Sequence, residues 1–330
     1  MAQAWFLTSR PAGLPERGNF ELRAFDLRDL NPGEVRVRNL WMSVDPYMRG
    51  RMNDTDSYVA PFALNAPLEG AAIGRVTESR SPRLKPGDLV QHRYGWRDEA
   101  QGDASQFRPL QPNGVPVQRY LDTLGATGAT AWFGLLDVGR AKAGETVFVS
   151  AAAGAVGSMV VQIAKQLGMR VVGSAGGSEK VALVRRLGAD AAIDYKAPGS
   201  LQGKLAAAAP EGIDVYFDNV GGDHLDAALG LANTHARVAI CGMIGMYNSD
   251  EPVAFRNLFR IIAARIRIEG FLLGDFAERL PEFYRVMEPW VREGRIRSEE
   301  TVIDGLEQMP SAFIGLFSGT NSGKLLVYLR

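Results

Sequence analysis

The sequence predicts an α/β fold in two parts, a β-rich domain and a doubly wound parallel sheet. Three observations carry this. Residues 1 to about 120 hold short alternating apolar runs broken by Pro and Gly, the punctuation of a small barrel-like β domain. From Leu121 onward, strand-like and helix-like segments alternate with short connections, as a parallel sheet requires. At 330 residues the chain also exceeds most single hydrophobic cores, so two domains are expected.

In the first part the apolar runs at 4–7, 34–40, 72–76 and 88–91 read as strands. The stretch 130–138 reads as helix and stops at Gly139. Then come strand 146–150, helix 155–167, strand 170–174, helix 180–187, strand 190–194, helix 200–208, strand 213–218, helix 223–231 and strand 237–241. A loop over 242–253 leads through a helical stretch to an apolar strand at 266–273. A helix at 278–293 follows, and a strand at 324–329 lies near the end of the chain. The tail is expected to return to the first domain, so that 1–120 is completed by 298–330 around a second domain at 121–297.

Composition excludes several functions. The 37 basic and 37 acidic residues cancel, so no overall field recruits nucleic acid or an anionic membrane. The densest basic group, Arg256, Arg260, Arg265 and Arg267, reads as a solvated or interface face. No apolar run reaches the roughly 18 residues of a membrane span, and residues 1–11 lack the basic flank and apolar core of a secretory signal. The single cysteine, Cys241, makes no internal disulfide. A cytoplasmic protein is expected.

The most informative segment is 145–180. Its strand runs into Ala151-Ala152-Ala153-Gly154-Ala155-Val156-Gly157, with Ala152, Gly154 and Gly157 at the three positions of a dinucleotide (Rossmann) fingerprint. Small residues there let the backbone approach a pyrophosphate, whose charge meets amide N–H groups and a helix end carrying roughly half a positive charge. An NAD site places an Asp or Glu at the tip of the next strand for the ribose 2′-hydroxyl. This chain has Ser174-Ala175-Gly176-Gly177-Ser178-Glu179-Lys180 instead. A cradle without that acid, followed by a lysine, suits a ribose 2′-phosphate and predicts NADP(H). The alternative is that Ser178 caps a helix, with Glu179 and Lys180 as solvated first-turn residues.

Six strings in order, among them Ser43-Val44-Asp45-Pro46-Tyr47-Met48-Arg49, Gly125–Ala131, Phe217-Asp218-Asn219-Val220-Gly221-Gly222, Cys241–Tyr247 and Asn321-Ser322-Gly323-Lys324, resemble the zinc-independent medium-chain dehydrogenase/reductases. Within them the match is to the leukotriene B4 12-hydroxydehydrogenase, prostaglandin reductase and alkenal double-bond (curcumin-type) reductase group. The resemblance implies a GroES-like catalytic domain, a central Rossmann NADP(H) domain, and a homodimer in which 266–273 meets the partner. An ordinary buried edge strand is the alternative for 266–273.

By resemblance, Gly154, Ala155, Val156 and Gly157 hold the pyrophosphate, and Lys180 and Tyr195 the 2′-phosphate. Asn219 meets the nicotinamide-side ribose. Cys241, Gly242 and the residues to Tyr247 line the nicotinamide half, Phe271 and Leu273 approach the ring by backbone, and Asn321 reaches a phosphate or amide. Duller readings stand beside these: Tyr195 as surface filler at a strand end, Asn219 and Asn321 as turn formers.

Zinc-dependent relatives use Cys and His-Glu ligands, but here Pro67-Leu68-Glu69-Gly70-Ala71 stands where the His-Glu element would lie, and no catalytic metal is expected. Without a Lewis acid, adding hydride to a conjugated double bond is easier than reducing an isolated ketone. The expected reaction is therefore NADPH-dependent reduction of the C=C bond of α,β-unsaturated ketones or aldehydes, with hydride going to the β-carbon and Tyr247 hydrogen-bonded to the carbonyl oxygen. Tyr247 as a packing aromatic is the alternative. Tyr58 is a second candidate for the substrate, ahead of Tyr47, and 51–56 reads as a polar loop at a cleft mouth. Met52, Trp132 and Phe133 are candidates for an apolar pocket or for core. A quinone oxidoreductase and a non-catalytic NADPH-binding protein are the competing functions.

Overall fold

The computed structural model describes residues 1–249 and 251–330, and the chain divides into two units. One comprises 1–121, 300–321 and 325–330, the other 122–299 and 322–324.

The first unit opens with β1 (Ala2–Leu7), paired antiparallel with β2 (Phe20–Phe25). The long strand β3 (Glu34–Ser43) is flanked by β4 (Ala72–Ser79), which in turn pairs with β5 (Leu89–His92). Strand β6 (Glu99–Asp103) pairs with β3, and β7 (Arg108–Pro109) with β5. In β3, buried Val35 and Val37 alternate with outward Arg36 and Arg38, the two-residue period of a half-covered sheet. Val35 and Val37 pack with Val76, Leu84, Val90 and Phe107. A second core gathers Trp5, Met48, Met52, Trp96 and Phe313.

The polar stretch at 51–56 is not the open loop its composition implies. Residues Pro46–Met52 form a 3-10 turn, and Arg51 and Met52 are buried. The Arg51 guanidinium lies 4.0 Å from the centre of the Phe62 ring, donates to the Ala60 carbonyl at 2.9 Å and pairs with Glu69 at 3.1 Å. Met52 belongs to the core and its carbonyl accepts from Arg10 at 3.0 Å, so the exposed part shrinks to the few residues after Asn53.

The second unit begins with α1 (Ala126–Phe133), continued by a wide turn Gly134–Val138. Then follow β8 (Thr146–Val149), α2 (Ala155–Gln166), β9 (Arg170–Ala175), α3 (Ser178–Arg186), β10 (Ala191–Asp194) and α4 (Leu201–Ala208). The second half holds β11 (Ile213–Asp218), α5 (Gly222–Leu231), β12 (Ala232–Ile240), α6 (Arg260–Ala263), β13 (Arg267–Gly270) and α7 (Leu280–Arg292). All six strands are parallel in the order β10-β9-β8-β11-β12-β13. The order reverses between β8 and β11, and ligands of such sheets bind outside the strand ends at that point. Every residue of β8, Thr-Val-Phe-Val, is buried, as in a strand covered on both faces.

The strand expected over 266–273 is shorter. The Phe271 side chain packs edge-on against Phe217 (6.3 Å) and Phe276 (6.4 Å), and the chain then winds into a 3-10 turn at Leu273–Arg279. Phe133 stacks on Phe276 at 4.7 Å, and Trp132 packs edge-on against Phe283 and Trp290. Phe133, Phe217, Phe283 and Trp290 are core, and Trp132, Phe271 and Phe276 are half-buried against them.

After α7 come β14 (Glu300–Asp304), α8 (Met309–Ser318) and β15 (Lys324–Tyr328), and β15 pairs with β3. Residues 322–324 are grouped with the second unit because Gly323 N–H donates to Ala153 O (2.8 Å) and Lys324 N–H to Glu299 O (2.7 Å). Among the described residues no helix is long and apolar enough to cross a membrane.

Candidate dinucleotide site

The turn after β8 is built for close approach. Ala151 adopts φ 47°, and a Cβ on Gly157 would stand 2.3 Å from the Ala151 carbonyl oxygen. Only glycine fits there, and α2 can therefore start hard against the strand. Gly154 is the N-cap, and the first bond of the helix runs from Ser158 N–H to Gly154 O at 2.9 Å. The N–H groups of Ala155, Val156 and Gly157 precede that bond and point off the helix end, where an anion is stabilised. Gly323, on Ala153 O, closes the side of the turn. Asn321 lies two residues earlier in the chain and belongs to the first unit.

The tip of β9 has no carboxylate. Ser174 is wholly buried there, and its hydroxyl has no hydrogen-bond partner among the described residues. The N-cap of α3 is Gly177 at φ 95°, so the alternative that Ser178 caps this helix fails. Lys180 is half-buried, and burial first and the Lys196 ammonium second hold its amine below the ordinary lysine value. Tyr195, 41 % exposed, is brought to the same loop: a Cβ on Gly176 would stand 2.9 Å from its hydroxyl. Its ring meets His224 edge-on at 5.2 Å.

The ends of β11 and β12 are tied to one another and to β8. Asp218 is fully buried, and its Oδ1 accepts from Tyr216 OH (2.6 Å), Val220 N–H (2.9 Å), Gly221 N–H (2.9 Å) and Ser150 Oγ (3.1 Å). Burial, then Asp218 itself, push the Tyr216 phenol well above its ordinary value, which keeps it a donor. The Asp218 carbonyl accepts from Cys241 and Gly242 N–H, Asn219 O from Ile244 N–H, and Val220 O from Gly245 N–H. Gly221, at φ 73°, lets Met243 approach to 3.1 Å of where a Cβ would be. Asn219 donates its backbone N–H to Ser150 Oγ (2.9 Å) and its side-chain amide to Ser150 O (2.8 Å), which aims its oxygen away from the strand.

Within the 241–247 loop, burial and the Asp218 charge push the Cys241 thiol up to about 12. It stays a neutral, unreactive thiol. The Tyr247 hydroxyl accepts from Met243 N–H at 3.2 Å, folded over its own loop. Phe271 and Leu273 stand at the end of β13, and Phe271 turns its ring into the core.

The structure thus brings Asn219 together with Cys241, Gly242 and Tyr247, and Tyr195 to the loop that leads into Lys180, while Gly154–Gly157 opens the helix after β8. Tyr58 belongs to the first unit and is 65 % exposed, whereas neighbouring Tyr47 is half-buried with its phenol raised to about 12 by burial and by Asp45. Sequence reasoning missed Ser150 and Asp218, whose signal was a Ser and an Asp at the ends of the two strands flanking the reversal. Beside Tyr195, the Asp194 carboxylate accepts from Gly177 N–H at 2.9 Å. Among the described residues no group of three or more His, Cys, Asp or Glu is placed to hold a metal ion, and Glu69 is engaged by Arg51.

A β-rich unit joined to a parallel sheet with a glycine cradle and a carboxylate-free second strand defines a two-domain, dinucleotide-dependent oxidoreductase. Sequence profiles agree: residues 3–110 match one described as the N-terminal domain of oxidoreductase, and 155–289 one described as zinc-binding dehydrogenase. The NADPH-dependent curcumin reductase of Escherichia coli is 42 % identical over 330 residues, covering 98 % of this chain and 95 % of that protein. The NADP(+)-dependent 2-alkenal reductase of Nicotiana tabacum is 42 % identical over 321 residues, covering 96 % and 94 %. The crystal structure of CurA in complex with NADPH from Vibrio vulnificus superposes with TM-score 0.94 at 39 % identity, covering 99 % of each chain. The chain belongs to the zinc-independent medium-chain dehydrogenase/reductase family, in the group of the alkenal, curcumin and prostaglandin reductases.

Proposed function

We propose that the protein is an NADPH-dependent enone reductase, acting on the C=C bond of α,β-unsaturated ketones and aldehydes. The observation that carries this is the turn after β9, where the strand tip has no carboxylate, the Tyr195 hydroxyl lies over Gly176 and the loop leads into Lys180. Identity along nearly the whole chain to proteins named for NADPH and for alkenal and curcumin reduction supports the substrate class.

The residues fit the cofactor: the bare Gly154–Gly157 cradle suits the pyrophosphate, Lys180 and Tyr195 the 2′-phosphate, and the Asn219 side-chain oxygen a ribose hydroxyl. The Cys241–Tyr247 loop and the backbone at Phe271 and Leu273 complete the set, and Asn321 is assigned by the resemblance alone. NADPH, when bound, supplies the hydride that adds to the β-carbon. Tyr247 donates a hydrogen bond to the carbonyl oxygen, on which negative charge develops, and solvent delivers the proton to the α-carbon. Accepting from Met243 N–H polarises the Tyr247 hydroxyl and makes it a better donor. The reading needs no metal, because Pro67-Leu68-Glu69-Gly70-Ala71 stands where zinc-dependent relatives carry their His-Glu ligands. Tyr58 is a further substrate contact, assigned by the resemblance.

Oxidation of NADPH with 2-alkenals, a bulky dienone and a benzoquinone tests the reading. Turnover with the alkenals or the dienone is expected. Turnover with the quinone alone would make it a quinone oxidoreductase, and none at all a binding protein. Lys180→Ala should weaken NADPH by about 1.5–3 kcal/mol and leave NADH nearly unchanged, as for a lost charge-assisted hydrogen bond. Titration of both cofactors checks this, and equal losses would contradict it.

The same proposal places the protein in the cytoplasm as a homodimer. The lone Cys241 fits a reducing compartment. Strand β13 is an edge of the sheet, and Leu258, Phe259, Ile262, Ile268 and Leu272 are exposed on or beside it, Phe259 at 73 % and Ile262 at 71 %. An open edge beside an apolar patch is a ready template for a second copy. Ile268→Lys together with Ile262→Glu should convert a dimer to a monomer in sedimentation. A monomeric parent protein at micromolar concentration would end the dimer reading.

A further inference from the structure

The loop after β10 carries a cation to which the site described above gives no role. Asp194, the last residue of β10, accepts on a single oxygen, Oδ1, from Gly177 N–H and from Lys196 N–H, each at 2.9 Å. That oxygen joins the loop before α3 to the loop before α4. Behind it, Lys204 Nζ donates to the carbonyls of Asp194, at 3.1 Å, and Ala197. The consequence is a fixed position for the next two side chains. A Cβ on Gly176 would meet Tyr195 OH and Lys196 Cε, both at 2.9 Å, so both side chains lie over one bare glycine. Lys196 Nζ is 6.0 Å from the centre of the Tyr195 ring, a weak cation–π contact that orients the stem while the side chain stays exposed.

Lys180 lies in the first turn of α3, the helix that the loop at Gly176 leads into, and the Lys196 charge is the second cause, after burial, of its depressed amine. Neighbouring cations repel, and an anion between them removes that cost. A phosphate monoester carries close to two negative charges at neutral pH, more than one lysine neutralises. We propose that Lys196 is a second cationic contact for the 2′-phosphate of NADP(H), sharing it with Lys180 and Tyr195 and setting the preference over NAD(H). This rests on the reading of the loop after β9 as the 2′-phosphate subsite.

Calorimetric titration of the protein with NADPH, NADH, 2′,5′-ADP and ADP tests it without turnover. Lys196→Ala should weaken NADPH and 2′,5′-ADP by about 5- to 10-fold, between an exposed ion pair and a charge-assisted hydrogen bond, and leave NADH and ADP within about 2-fold. Lys196→Arg should restore most of the loss. Unchanged NADPH binding in Lys196→Ala, beside a selective loss in Lys180→Ala, overturns the role of Lys196 and leaves the subsite standing. Equal losses of NADPH and NADH in Lys196→Ala make Lys196 a purely structural residue and also overturn it. If neither lysine variant shows a selective loss, the subsite reading itself fails.

Discussion

Asp218→Ala should destabilise the protein by about 3–5 kcal/mol, the range for removing one partner of a buried charged network. Asp218 Oδ1 collects four donors within a fully buried site, two hydroxyls and two backbone N–H groups. Each donor left unsatisfied costs about 1–3 kcal/mol, and relaxation keeps the sum below simple addition. Asp218→Asn keeps the shape and one acceptor but loses the charge, which roughly halves the strength of such bonds. A loss of about 1–2 kcal/mol is expected for it. Denaturant unfolding monitored by fluorescence separates the two, and a loss under about 1 kcal/mol for the alanine variant would refute the network. Because the Asp218 carbonyl also holds Cys241 and Gly242, NADPH and NADH should weaken together in the alanine variant. That shared loss distinguishes it from the selective loss expected at Lys180.

What the sequence discloses depends on whether burial is two-sided. Strand β8 and most of β9 and β11 are covered on both faces, so they read as continuous apolar runs between glycine-bearing turns. Strand β6, Glu-Ala-Gln-Gly-Asp, has almost no apolar signal and exists because it pairs residue for residue with β3. Strands β2 and β14 mix charged and apolar residues in the same way, and no local propensity announces them. The polar string after Arg49 misled because an arginine is amphipathic: the Arg51 guanidinium lies over Phe62 while its donors meet Ala60 O and Glu69.

Site residues follow the same logic. Glycines that accept no Cβ, such as Gly157, are visible as spacing, since the chemistry forbids anything else. Asp218 reads in isolation as a turn former before Asn-Val-Gly-Gly, and only the register of β11 beside β8 brings Ser150 Oγ to it. Lys196 is one of seven lysines and nothing in its local sequence singles it out until Asp194 clamps its backbone N–H beside that of Gly177. Distances between loops after different strands are set by sheet order, which periodicity does not encode.

Tyr247→Phe should lower enone turnover on the order of 10²-fold, about 2.7 kcal/mol of transition-state stabilisation, at the lower end for removal of an oxyanion donor. The hydroxyl has two separable duties. As an acceptor it takes Met243 N–H at 3.2 Å and helps fix the loop from Cys241 to Tyr247. As a donor it meets the charge that develops on the substrate carbonyl during addition to the β-carbon. Loss of the first costs stability and cofactor binding. Loss of the second costs only kcat, because the interaction strengthens as charge forms. The long contact to Met243 lies at the outer limit for an N–H···O bond, so the structural share should be small, about 0.5–1.5 kcal/mol. Steady-state kinetics with a 2-alkenal, read beside NADPH titration and the unfolding midpoint, separates the two. A kcat loss with unchanged NADPH affinity assigns the hydroxyl to chemistry. Unaltered kcat removes Tyr247 from catalysis, and a parallel fall in NADPH affinity and midpoint makes it a loop anchor.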